Sequence, residues 1–98
     1  MYEWDYIPLD QAVIDQEVKR LAQQRRSAKI YLTKAIKGKN AGGNFDIIVF
    51  HEIRKNFTEF KRIVKALETL RLDWYEIDGD LYVNRHEIED VIYDRPRD

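Results

Sequence analysis

The sequence predicts an α+β fold in a single domain of 98 residues. Three patterns lead to this prediction. A long apolar repeat with helical spacing fills the first third of the chain, a second helical pattern runs directly into a β-hairpin signal, and a short capped helix follows. We therefore treat residues 1–98 as one domain, with an N-terminal arm and a long helix over residues 1–37.

The long helix is predicted to begin after Asp10, its N-cap, and to end near Lys37. Its apolar positions alternate at spacings of four and three residues. They are Ile14, Val18, Leu21, Ala28, Leu32 and Ala35. Arg25 is the single charged residue on this stripe. A helix of about 28 residues is roughly 40 Å long, which is long for a domain of this size. We expect it either to break near residues 25–27 or to use part of its length against another chain.

Two segments between the helices are less regular. Residues 38–44 are rich in Gly and Asn and predict a flexible loop. This loop lacks the Lys-Ser/Thr pair of a nucleotide-binding phosphate loop. The apolar run 45–50 has the composition of a strand, but residues 46–54 also repeat at helical intervals, so both structures remain open.

The second helix is predicted to begin after Asn56, a good N-cap, with Glu59 placed to reach back to the backbone N–H of Asn56. Its apolar face comprises Phe60, Ile63, Val64, Leu67 and Leu70. The Asp-Gly pair at residues 78–79 predicts a two-residue hairpin turn between β-forming segments. A last helix is predicted from a cap at Asn84 to about Tyr93.

The net charge of −1 conceals a strong segregation of charge along the chain. Residues 1–18 carry −5, residues 19–71 carry +10 and residues 72–98 carry −6. A basic middle segment is typical of proteins that bind a polyanion such as nucleic acid. The alternative is a solvated surface on which the basic middle packs against the acidic ends of the same chain.

A helix with one apolar and one basic face, followed at once by a hairpin, resembles the recognition helix and wing of a winged helix-turn-helix domain. The resemblance covers about residues 45–93 and rests on the helical spacing of residues 60–72, the β-forming residues 74–77 and 81–83, and the turn at residues 78–79. It implies a long N-terminal helix, two core helices, a β-hairpin and a short C-terminal helix. It also implies that the second core helix docks in the major groove of double-stranded DNA.

Candidate DNA-binding residues lie on the exposed side of the expected recognition helix, just before it, and around the end of the long helix. They are Arg54, Lys55, Asn56, Thr58, Lys61, Arg62, Lys65, Lys34, Lys37 and Lys39. Lys and Arg neutralise phosphates, whereas Asn56, Thr58 and Arg62 can also reach base edges. The hairpin departs from the family because three carboxylates would repel phosphates. They are Glu76, Asp78 and Asp80.

The sequence does not indicate an enzyme. His51-Glu52 begins like a zinc-protease motif, but Lys55 stands where the second His is required. The chain has no Cys, which excludes disulfides, thiol catalysis and cysteine-bound zinc. We therefore expect no catalytic residue, metal, cofactor or small-molecule substrate. No apolar run approaches the length of a membrane span, and the acidic N-terminus does not resemble an export signal, so we expect a cytoplasmic protein without a membrane partner.

The hypothesis from sequence is therefore a small homodimeric protein that binds double-stranded DNA. Its long helix would hold the two copies together. Small domains of this kind resemble transcription regulators and accessory factors of mobile genetic elements such as phages and plasmids. The alternative is a protein–protein adaptor or inhibitor that binds no nucleic acid. It would use the acidic ends and the aromatic N-terminal residues Tyr2, Trp4 and Tyr6.

Overall fold

The structure is a computed structural model that describes residues 10–95. The predicted aromatic arm at residues 1–9 lies outside the described residues. The described chain contains three α-helices, a 3-10 turn and a four-stranded antiparallel sheet, so the predicted α+β class is confirmed. In chain order the elements are α1 (Gln11–Ile36), β1 (Ala41–Gly43), β2 (Ile47–Phe50), the 3-10 turn (Ile53–Lys55), α2 (Phe57–Thr69), β3 (Tyr75–Ile77), β4 (Asp80–Asn84) and α3 (Arg85–Ile92).

The long helix α1 is unbroken over 26 residues. The side chain of Asp10 caps it by accepting a hydrogen bond from the backbone N–H of Ala12 at 2.9 Å. The predicted start and end are confirmed to within a residue, and the helix does not break near residues 25–27. Ala28 and Leu32 are its buried residues, whereas every residue from 11 to 27 except Ile14 is exposed. The first half of α1 therefore contributes almost nothing to the core.

The prediction of a simple loop over residues 38–44 was wrong, because β1 forms inside it and pairs with β2. Glycine permits this close approach. Gly43 has a φ of +112°, and a Cβ at this position would lie 2.1 Å from the carbonyl oxygen of Ile47. Asn44 stabilises the turn that follows, since its side-chain oxygen accepts hydrogen bonds from the N–H groups of Asp46 and Ile47 at 2.8 and 2.9 Å.

Of the two structures left open for this segment, the helix over about residues 46–54, which the winged helix-turn-helix resemblance favours, is wrong, because its first half is the strand β2. The sheet order is β1-β2-β4-β3, so β2 is paired on both sides. Ile48 and Phe50 face the core and are 1% and 3% exposed. Such side chains pack well on a pleated surface, which favours the strand. The remainder of the expected helix is a single 3-10 turn, so α2 is the one helix between β2 and β3.

The predicted α2 is confirmed, with a modified cap. The side-chain oxygen of Asn56 accepts a hydrogen bond from the Glu59 N–H at 3.1 Å. The Glu59 carboxylate accepts from the side-chain amide of Asn56 at 3.3 Å, whereas the backbone N–H of Asn56 donates to the carbonyl of Ile53. Both groups of the Asn56 side chain are therefore used within the fold.

The end of α2 and the hairpin both use left-handed backbone. Arg71 has a φ of 58°, and the N–H of Leu72 donates to the carbonyl of Leu67 at 2.9 Å, which forms a Schellman motif. In the hairpin, Asp78 and Gly79 have φ values of 53° and 88°, as a type I′ turn requires. The predicted two-residue turn is confirmed.

The core lies between one face of the sheet and the three helices. Its most deeply buried side chains are Leu32, Ile48, Ile63, Leu67, Leu81, Val83 and Ile88. They come from α1, β2, α2, β4 and α3. The predicted cap of α3 is confirmed, because Asn84 accepts a hydrogen bond from the N–H of Glu87 at 2.9 Å. Within residues 10–95, no helix combines the length and the apolar character needed to cross a membrane.

Candidate nucleic-acid interface

The outward face of α2 brings together four of the predicted DNA-binding side chains and one further residue, Thr69. Phe60, Ile63, Ala66 and Leu67 are buried on one side of the helix. Steps of three and four residues bring a polar set together on the other side. This set comprises Thr58, Lys61, Arg62, Lys65 and Thr69. All of them except the half-buried Thr69 are exposed.

The three cations of this face are not neutralised by carboxylates. Within the described residues, Lys61, Arg62 and Lys65 form no ion pair at 4.0 Å or less. The ammonium group of Lys61 lies 5.4 Å from the ring centre of Phe57, a cation–π contact that leaves its N–H donors available. The positive charge of α2 is therefore available to an external anion.

A groove of about 410 Å³ runs between α1 and α2. Arg20 of α1 and Arg62 and Lys65 of α2 supply its charge, and Tyr31 forms part of its wall. Its described lining contains no Asp or Glu. Arg20 also forms an ion pair with Glu17, whose carboxylate accepts hydrogen bonds from the Arg20 guanidinium. This bond lowers the pKa of Glu17 and raises that of Arg20, so both remain charged at neutral pH.

A second depression, of about 250 Å³, meets the first at Tyr31. Lys34 from the end of α1 and Lys39 from the following turn line it, and Glu59 is the acid among its described lining residues. Lys37 is exposed nearby but lines neither depression. Cations from α1, from the turn and from α2 therefore border two neighbouring depressions that share Tyr31.

Tyr31 lies at the junction of the two depressions and stays protonated at neutral pH. Burial raises the pKa of its phenol, the negative charge of Glu59 raises it further, and the positive charge of Arg62 opposes both. A protonated phenol offers an O–H donor in the middle of a basic groove. A phosphate oxygen is a suitable acceptor for it.

Three of the predicted residues are instead used by the fold. Arg54 forms an ion pair with Glu76, with 3.5 Å between Nε and Oε2. Lys55 pairs with Glu52 at 3.2 Å, although both side chains are largely exposed. Asn56 caps α2 with both groups of its amide. The structure thus separates these residues, which precede α2, from the unpaired cations on its outward face.

The acidic hairpin lies against the segment that precedes α2. The backbone N–H of Arg54 donates to the carbonyl of Gly79 at 3.2 Å. The carboxylate of Asp80 accepts the backbone N–H of Glu52 at 2.6 Å. Since Glu76 also pairs with Arg54, two of the three hairpin carboxylates are bound within the fold, and the third, Asp78, lies in the turn. The hairpin therefore holds the N-terminal end of α2 in place.

Sequence reasoning missed the contribution of α1 to this groove. Arg20, Gln24, Ser27 and Tyr31 line it from the side of α1 that faces α2. Their spacing of four, three and four residues runs parallel to the apolar stripe, and this second stripe is visible in the sequence. Within residues 10–95, no three His, Asp or Glu side chains are grouped closely enough to hold a metal ion.

The fold and this groove define a small α+β domain with a basic face formed by two helices. When the chain is compared with protein families, with curated proteins and with solved structures, it matches none of them.

Proposed function

We propose that this protein binds double-stranded DNA, with the outward face of α2 in the major groove. An α-helix with its side chains is about 10–12 Å wide, and the major groove of B-DNA is about 12 Å wide. The observation that carries the proposal is the set of unpaired cations Lys61, Arg62 and Lys65. No carboxylate of residues 10–95 lies within 4.0 Å of their charged groups, although the chain contains 18 Asp and Glu residues.

In this proposal the contacts divide into two kinds. Lys61, Lys65 and the cations of the α1–α2 groove neutralise phosphates, which supplies affinity without sequence preference. Thr58, together with Arg62 in addition to its phosphate contact, reaches base edges from α2 and supplies the sequence dependence. Asn56 is not part of the contact, because the cap of α2 uses its side chain. Binding requires no metal, cofactor or catalysis, and we propose that it takes place in the cytoplasm.

Only part of the winged helix-turn-helix resemblance supports this proposal. A hairpin follows α2, as the resemblance implies, but a 3-10 turn stands where another helix was expected. The hairpin is acidic and contacts Arg54, so in our proposal it positions α2 and does not touch DNA. A role as a regulator or accessory factor of a phage or plasmid is part of the same proposal.

The test is a fluorescence-anisotropy titration of a labelled duplex at low salt. We expect the double variant Lys61→Glu/Lys65→Glu to lose at least about tenfold in affinity, because two phosphate contacts become repulsive. The matched control is Lys19→Glu/Arg26→Glu. It changes the net charge equally, but at exposed positions that form no ion pair with another described residue and that lie on the side of α1 opposite Ala28 and Leu32. Equal losses in both variants, or no binding by the wild type, would refute the proposal.

The outer face of the sheet favours a second candidate function, a protein–protein adaptor. Tyr75 and Ile77 are 52% and 51% exposed on this face. The ring of Tyr75 stacks on the ring of Tyr82, with 5.8 Å between the ring centres. Exposed apolar side chains that adjoin one another are typical of protein contacts. A wild-type protein that ignores DNA at low salt but retains one partner protein would support this candidate.

A further inference from the structure

The apolar stripe of α1 is buried in its second half and uncovered in its first half. Because seven residues make two helical turns, all positions of the 4-3 repeat lie on one side of α1. Ala28 and Leu32 are 7% and 0% exposed, whereas Val18 and Leu21 on the same stripe are 60% and 46% exposed. The domain therefore covers the stripe only as far as its own core extends.

The uncovered part of α1 is only marginally stable as a helix by itself. Residues 11–24 make about 21 Å of helix, and isolated helices of fewer than about 12–15 residues are marginal in water. The radius of gyration is 17.5 Å. A compact domain of this length has a radius of about 12–13 Å, and the projecting helix explains the difference. A projecting amphipathic helix of this kind requires a partner for its apolar side.

We propose that this partner is the same segment of a second copy of the chain, paired antiparallel as a two-stranded coiled coil. A repeat of 3.5 residues is the pattern of helices that wind around each other. An antiparallel pair with Val18 of each copy against Leu21 of the other forms a symmetric interface. Ile14 of each copy then lies against Arg25 of the other.

The charges of the segment select a second copy and the antiparallel direction. Asp15 and Glu17 flank the stripe and Arg25 lies on it, whereas Lys19 and Arg26 lie on the opposite side of α1, away from a second copy. An antiparallel pair places Arg25 of each copy beside the acidic turns of the other, whereas a parallel pair places the two Arg25 side chains next to each other.

The pairing also sets the distance between the two α2 helices. The consequence that we draw from this distance rests on the proposed DNA binding. Arg25 approaches the carbonyl of Thr69 at 3.4 Å, and Tyr31 and Lys34 lie near Glu59, so the middle of α2 lies beside about residue 30 of α1. In the antiparallel pair, residue 30 of one copy and residue 30 of the other are about 32 Å apart along the axis, and so are the middles of the two α2 helices. Successive turns of DNA are about 34–36 Å apart, so one dimer would present both α2 helices to neighbouring turns.

Sedimentation equilibrium of the full chain, without DNA, tests the pairing. We expect the wild type to have twice the chain mass of 11.8 kDa at micromolar concentration. Val18→Asp should convert it to a monomer whose circular dichroism retains the signal of the folded domain, because Val18 does not contact the core. Val13→Asp is the matched control, since Val13 is similarly exposed, at 56%, but lies off the stripe, so this variant should stay dimeric.

Disulfide cross-linking tests the direction, and the absence of Cys from the wild type makes single substitutions unambiguous. An oxidised mixture of Ile14→Cys and Arg25→Cys should give a cross-linked dimer, whereas each variant alone should give little. A dimer from Ile14→Cys alone would show a parallel pair and overturn the proposal. A monomeric wild type, or equal dissociation by the Val13 and Val18 variants, would also overturn it. None of these outcomes depends on DNA binding, so the two proposals fail separately.

Discussion

The salt dependence of DNA binding gives the most quantitative test of the basic groove. Five cations of the groove and of the outward face of α2 have no carboxylate partner within 4.0 Å among the described residues. They are Lys34, Lys39, Lys61, Arg62 and Lys65. If each neutralises one phosphate, the logarithm of the binding constant falls with a slope of about −4.5 per logarithm of salt concentration. Between about 50 and 200 mM salt, the affinity of one protomer should then fall about 500-fold.

Neutralising two of these cations should change the slope by a known amount. For Lys61→Gln/Lys65→Gln we expect a slope of about −2.7, which is a fall of about 40-fold over the same range. Fluorescence anisotropy at several salt concentrations measures both slopes. The control Lys19→Gln/Arg26→Gln loses the same charge on the side of α1 opposite Ala28 and Leu32. This variant should keep the slope of the wild type.

The double variant Arg54→Gln/Lys55→Gln tests the assignment of paired cations. Both residues are already bound to carboxylates, so their loss should leave the slope nearly unchanged. A slope change as large as that of the Lys61/Lys65 variant would refute the assignment of Arg54 and Lys55 as paired cations. A wild-type slope for the Lys61/Lys65 variant would refute the assignment of Lys61 and Lys65 as phosphate contacts.

Three further predictions concern the fold and the groove. Gly43→Ala should lower the free energy of unfolding in urea by more than about 1 kcal/mol, because a Cβ would clash with the Ile47 carbonyl and φ is +112°. Arg71→Gly should instead raise the free energy of unfolding by about 0.5–1 kcal/mol, because Gly adopts a φ of 58° without strain. A decrease in the free energy of unfolding would contradict this expectation. Because the pKa of Tyr31 is raised, its phenol should titrate above about pH 10. The burial of the neutral phenol then stabilises the fold fully below that pH, and this stabilisation is lost as the pH rises through the pKa of the folded state. The difference in tyrosinate absorbance between the wild type and Tyr31→Phe measures this pKa, and a titration at the ordinary pH would contradict the burial of Tyr31.

The helix ends and the hairpin turn could be predicted from the sequence because each is decided within a few residues. Asp10, Asn56 and Asn84 each accept a hydrogen bond from an N–H two or three residues further along the chain. The turn at residues 78–79 depends on backbone conformations that Asp and Gly adopt readily. Such contacts carry their own sequence signals, so α1, α2, α3 and the hairpin were placed correctly.

The segment between α1 and α2 could not be decided in this way. The run 45–50 fits both a helical and an extended pattern, and β2 forms because β4 pairs with it from more than thirty residues away. The pairing of β1 depends on glycines whose only local signal was flexibility. Long-range backbone hydrogen bonds leave little trace in the composition of a short segment.

The same division applies to the candidate interface. The sequence by itself determined that positive charge concentrates in the middle of the chain and that α2 has a basic side. Only the tertiary structure decided which cations are available, because the folded hairpin brings Glu76 to Arg54 while no described carboxylate reaches Lys61 or Lys65. The tertiary structure also brought Arg20 and Tyr31 beside α2. The physical reason is that ion pairing depends on distances of a few ångströms between residues that the chain itself keeps far apart.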